Sequence, residues 1–235
     1  MASNILKVLL YTLIPVAIAV SGSSIAAFRP PGAKLKSFVQ HFAAGVVFAA
    51  AAVELLPDEI HAQSPVGLII GSTLGIVVML TIKWLSEKAR GSISLIATVG
   101  VDVLIDGLVL GLGFAVGVKQ GLLLTFALSM ELLFLGLSVS ATLSQDKMSP
   151  KKIITTTTGL ALLLPLGATL GTLLGGLSET ILAVLFAFGL VALLYLVTEE
   201  LLVEAHEVKD NPLITAIFFV GFFLLILVDE LVVPN

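Results

Sequence analysis

The sequence predicts an all-α polytopic membrane protein, a single transmembrane domain over residues 1–235 with eight spanning helices, a 3+2+3 order with an inverted repeat, and both termini outside. Three observations carry that expectation. Hydrophobic residues make up 58% of the chain and charged residues 12%, and the mean hydropathy is +1.15, well outside the range of soluble domains. Eight apolar stretches reach the roughly 20 residues needed to cross a hydrocarbon core. Basic residues collect at alternate joints between those stretches.

In chain order the stretches run at about Ile5 to Phe28, Phe38 to Leu56, Val66 to Leu85, Ile93 to Val116, Gly121 to Leu143, Ile153 to Leu174, Thr180 to Leu202 and Leu213 to Val233. The first is too long for the apolar part of a secretory signal and no cleavage pattern follows it, so it is expected to stay as a span. Turn chemistry marks the joints: Arg29-Pro30-Pro31-Gly32, Ser64-Pro65, Met148-Ser149-Pro150 and Asp210-Asn211-Pro212. Arg29, Lys34, Lys36, Lys83, Lys88, Arg90, Lys147, Lys151, Lys152 and Lys209 fall on one side, against only Lys7 and Lys119 on the other. The positive-inside rule makes the first side cytoplasmic, which puts both ends of the chain outside.

Absent residue types narrow the chemistry. There are no cysteines, so disulfides and thiolate metal sites are excluded. No basic tail or aromatic-interleaved patch supports nucleic-acid binding. No His-Glu-x-x-His motif occurs, and the two aspartates of the fourth stretch share one helix instead of facing each other across two, so an intramembrane enzyme is not expected.

That fourth stretch holds the centre of the reading. In Val101 to Phe114, VDVLIDGLVLGLGF, Asp102 and Asp106 stand four residues apart and project from one helix face. Carboxylates at bilayer depth are costly and are read as functional. Glu131 lies near the middle of the fifth stretch, at the same depth on the neighbouring antiparallel helix. Together the three acids offer hard oxygen ligands of the kind that suit Mg, Ca, Mn or Fe(II), and less selectively Zn. Protonated acids, or acids acting as interhelical hydrogen-bond glue, remain the alternative reading.

A second set of acids sits nearer the surfaces. The second stretch ends in Glu54-Leu55-Leu56 with Asp58, Glu59 and His61, and the seventh in Glu199-Glu200-Leu201-Leu202 with Glu204, His206 and Glu207. These pieces share Glu-Leu-Leu followed by Glu-x-His and end on opposite sides, as an inverted repeat of stretches one to three and six to eight would place them. Glu54, Asp58 and Glu59 are the expected entrance acids; Glu199, Glu200, Glu204 and His206 the expected exit groups. His41, at the cytoplasmic start of the second stretch, is a minor candidate ligand. Small residues in stretches two, four and six permit close helix packing. Pro165 is expected to kink the sixth stretch and free a carbonyl toward the same cavity.

Over essentially its full length the chain resembles the ZIP family of divalent-metal transporters. The resemblance rests on eight spans, the ELLPDE-type end of the second stretch, PLGATLG in the sixth and FGLVALLYLVTEELL in the seventh. The family's fourth segment carries His-Asn-x-Pro-Glu-Gly, and DVLIDGLVLG matches it in register. Asp102 then stands at the histidine and Asp106 at the glutamate, with Gly107 and Gly111 kept. Against the family's His-x-x-Pro-Glu-Gly in segment five, ELLFLG sets Glu131 at the histidine and Leu135 at the glutamate.

The resemblance implies uptake of a divalent cation, Mn, Fe, Zn or similar, toward the cytoplasm through a midplane site of fewer ligands, all carboxylate. It also implies that the metal is the substrate, with no tightly bound cofactor, and a homodimer by analogy. Loss of both imidazoles removes the ligands that favour zinc. Compact loops and the lack of a targeting extension favour a prokaryotic inner membrane. Two alternatives stand beside this reading: a proton-coupled carrier of a small solute, which could use the same acids, and a transport-inactive relative that senses or scaffolds.

Overall fold

The computed structural model describes residues 2–56, 64–88, 92–207 and 212–232. Among them the chain forms eight helices long and apolar enough to span a membrane. We number these α1 (Ala2–Phe28), α2 (Ala33–Leu55), α3 (Pro65–Lys88), α4 (Ser92–Val116), α5 (Val118–Gln145), α6 (Pro150–Leu174), α7 (Glu179–Ala205) and α8 (Pro212–Val232). Each begins a residue or more ahead of its expected apolar stretch, because the small, polar or proline residues before the stretch begin its first turn, and α3, α5 and α7 also run past the expected end. Pro65, Pro150 and Pro212 each open a helix, where proline's missing N–H would have no intrahelical partner. Ser149 caps α6, its hydroxyl accepting from the Lys152 backbone N–H at 3.4 Å.

Three helices depart from regular α geometry. The last turn of α2, Ala51–Leu55, and the turn Leu196–Leu201 in α7 are π-helical. Such wide turns insert a residue into the ladder and rotate the side chains that follow. One ends in Glu54-Leu55 and the other in Glu200-Leu201, so the repeated acid-Leu pair sits at the same place in two wide turns. In α6 the helix breaks at Leu162, between Pro150–Ala161 and Leu163–Leu174. Pro165 explains the position: its ring excludes the carbonyl four residues back, that of Ala161.

The helices pack chiefly in pairs: α1 with α5, α4 with α6, α2 with α8 and α3 with α7. Exchanging α1 with α6, α2 with α7, α3 with α8 and α4 with α5 maps this set onto itself, and the side chains repeat it in detail. A Cβ on Gly107 of α4 would collide with the Leu164 carbonyl and lie 3.0 Å from the Ala168 N; one on Gly136 of α5 would collide with the Ala19 carbonyl and lie 3.1 Å from the Ser23 N. At both positions only glycine admits the neighbouring backbone. The same exchange relates Gly75 against Phe188 to Gly221 against Phe42.

Ion pairs and cavities fix which helix ends share a face. Lys119 at the start of α5 meets Asp229 near the end of α8 at 2.6 Å. Lys7, Val118 and Gly175 line one cavity, bringing together the starts of α1 and α5 and the end of α6. At the opposite end Lys36 of α2 approaches Glu204 and Lys83 of α3 meets Glu199. The helix ends nearest the two chain termini therefore lie at one end of the bundle. The core lies where α2, α4, α5 and α7 converge, with Val103, Leu110, Leu128, Leu132 and Leu193 essentially inaccessible.

Candidate metal centre

Two antiparallel helices build the centre. Asp102 and Asp106 are one turn apart on α4, and Glu131 faces them from α5. All three are buried, with Asp102 7% exposed and Asp106 and Glu131 each 2%. One oxygen from each lies within 4.8 Å of the other two, a spacing from which the three could close on a single ion. Close packing of α4 against α6 through Gly107, and of α5 against α1 through Gly136, holds the backbones that carry the acids.

The surroundings do not neutralise these groups. Asp106 Oδ2 and both Glu131 carboxylate oxygens are screened from solvent and lack a hydrogen-bond donor. Asp106 and Glu131 are within hydrogen-bonding reach of each other, but a bond between two carboxyls exists only when one of them carries a proton. Ionised and unpaired acids in such a place are strongly unfavourable. A bound cation or a shared proton removes the penalty, and the oxygen-only donor set fits a hard or borderline divalent ion.

A cavity of about 70 Å³ runs from Asp102 and Glu131 past Ser138 to Glu200 and Glu204. Glu204 borders a second, wider cavity of about 470 Å³, which Lys36 and Gln40 also line. Glu204 closes the junction between them: its Oε2 accepts from Gln40 Nε2 at 3.0 Å and Ser138 Oγ at 3.3 Å, and Lys36 Nζ stands 3.6 Å away. Ser138, Gln40 and Lys36 carry no motif of their own; only the helix contacts bring them here. The freed end of α6 is not part of this cavity, which α4, α5 and α7 line alone.

The remaining expected site residues are spread along the same axis. Glu54 is buried, 5% exposed, in the wide turn of α2. Asp58 and Glu59 fall outside the described residues. Glu199 points away from its neighbour Glu200, to Lys83 at 2.8 Å on an exposed flank. His41 is buried and His206 exposed, and their rings meet at the far end of α2 and α7.

The family model for ZIP zinc transporters matches residues 83–229, more than half of the chain, with all three central acids inside the match. The chain belongs to the ZIP zinc transporter family. As a member of that transporter family it is a multi-pass, membrane-embedded protein whose metal ion is substrate, not cofactor. No curated protein matches it.

Proposed function

We propose that the chain carries a divalent metal cation toward the cytoplasm through Asp102, Asp106 and Glu131. The observation that supports this most directly is the buried triad itself: three carboxylates within reach of one ion, with three of their oxygens lacking any donor. A hydrated ion enters past Glu54, with Asp58 and Glu59 as further entrance acids, and exchanges part of its water shell for the triad. It leaves through the cavity past Glu200, where Glu204 must release Gln40 and Ser138 to accept it. Glu199, engaged by Lys83, serves the rim of the route.

With no imidazole or thiolate among the three ligands, the centre favours Mn(II) and Fe(II) over strict zinc selectivity. Among the described residues Arg29, Lys34, Lys36, Lys83, Lys88, Lys147, Lys151 and Lys152 lie toward the Glu204 end, against Lys7 and Lys119 at the other, which makes the Glu204 end cytoplasmic. The setting is a prokaryotic cell membrane. A second copy would sit on α3 or α8, the spans least enclosed by the rest of the chain.

The test is flux of Mn(II), Fe(II), Co(II), Zn(II), Cd(II) and Mg(II) into liposomes holding the purified protein, compared with Asp106→Asn. Flux by the wild type that the variant loses supports the reading. Absence of flux for every metal, in vesicles holding folded protein, overturns it and favours a solute carrier or a transport-inactive protein.

A further inference from the structure

Where α2 and the end of α7 meet, two imidazoles face each other. His41 is 1% exposed, and the His206 ring lies edge-on to it with centroids 5.2 Å apart. Each ring's Nδ1 sits against a carbonyl one turn back on its own helix, His41 at 2.9 Å from the Ser37 oxygen and His206 against the Leu202 oxygen. A carbonyl only accepts, so in the neutral rings Nδ1 carries the proton and Nε2 the lone pair. That is the tautomer of an Nε2 metal ligand oriented by a hydrogen bond from its other nitrogen. The Ser37 hydroxyl also donates to the Ala205 carbonyl at 2.9 Å, which ties the two helices together here.

His41 Nε2 has no hydrogen-bond partner although it is screened from solvent. A histidine kept only for packing would leave that buried acceptor unsatisfied, a cost that an apolar ring would avoid. Two imidazole nitrogens about 2.1 Å from one tetrahedral ion place their ring centroids about 5.3 Å apart, close to the spacing seen here. From these observations we propose that His41 and His206 form a second cation site, for a borderline divalent ion such as Zn(II), Co(II) or Ni(II), with water in the remaining positions.

This site complements the triad. Oxygen ligands in the middle of the bundle suit harder ions, and nitrogen ligands at the mouth retain those that prefer imidazole. Its place on an exit route rests on the proposed transport function; the binding itself does not.

The probe is Co(II), whose absorption spectrum reports its ligands, titrated into the purified full chain. The variant Asp102→Asn/Asp106→Asn/Glu131→Gln is expected to keep one Co(II) per chain, and adding His41→Gln to weaken that binding at least about 10-fold, the smallest loss typical for a ligating group. No Co(II) on the first variant, or undiminished binding on the second, overturns the site. Because a triple substitution can prevent folding, the wild type supplies an independent measurement. The chain has three histidines, and ring-nitrogen NMR with Zn(II) is expected to shift Nε2 of His41 and His206 while both Nδ1 protons remain. Unshifted His41 and His206 resonances would also overturn it. Loss of flux with Co(II) binding retained would count against the transport reading and leave this site standing.

Discussion

Replacing Asp106 by asparagine should stabilise the empty protein and abolish its stabilisation by metal. The triad's ligand atoms lie within 4.8 Å of one another, and two unit charges at that distance repel by about 3.5 kcal/mol at an effective dielectric of ~20. Asp106 takes part in two of the three pairs, so the isosteric amide removes about 7 kcal/mol of repulsion from a fully ionised, ion-free site. Its NH₂ group also offers a donor to the unpartnered Glu131 oxygens. Protonation of the wild type relieves the same repulsion, so the variant's advantage is greatest at alkaline pH and shrinks as pH falls. Metal acts the other way: an ion at 100 times its Kd adds about 2.7 kcal/mol to the wild type and nothing to the variant, so it narrows the gap at alkaline pH and reverses the order only where protonation has already brought the gap below that value. The assay is thermal unfolding in detergent, with EDTA or with Mn(II), from mildly acidic to alkaline pH. A wild type at least as stable as Asp106→Asn in EDTA throughout, with no rise on adding Mn(II), would refute the reasoning.

Three further outcomes follow from the same geometry. Gly107→Ala forces a methyl group into the Leu164 carbonyl and should cost about 1–3 kcal/mol. Gly159→Ala, which meets nothing within 4 Å, should be neutral or gain up to about 1 kcal/mol; thermal unfolding of both checks the pair. Glu204→Gln should leave Mn(II) affinity at the triad within about 2-fold of wild type while slowing flux, since Glu204 borders the route and not the centre; equal loss of both would remove it from the exit. Uptake should fall as the external pH becomes acidic, because protons compete with the ion for the same carboxylate oxygens; undiminished uptake by intact protein at low pH would count against a site empty of metal but holding protons.

Much of the fold was legible because a membrane leaves few choices. Long apolar runs must become helices there, and proline-marked joints end them, so all eight spans fall where composition places them. Asp102, Asp106 and Glu131 were legible as a group because fourfold spacing on α4 and equal depth on α5 bring them together on adjacent helices. What the sequence did not carry was rotation. Glu199 and Glu200 are identical and adjacent, yet about 100° of helical turn sends one to Lys83 and the other to the cavity. Both lie within the π turn Leu196–Leu201, and no local residue pattern announces that turn. Pro165 did disrupt α6, but one turn earlier at Leu162, and the freed end stays out of the cavity. The partners of Glu204 come from α2 and α5, over 60 residues away in sequence, and only packing joins them.

The central claim is that three carboxylates and no imidazole hold the transported ion midway through the bundle. X-ray absorption at the manganese edge, on purified protein loaded with one Mn(II) per chain, tests it most directly. A first shell of oxygen alone, free of imidazole outer-shell scattering, is expected, and Asp106→Asn eliminates it. An imidazole signal, or a manganese shell unchanged in Asp106→Asn, would contradict it.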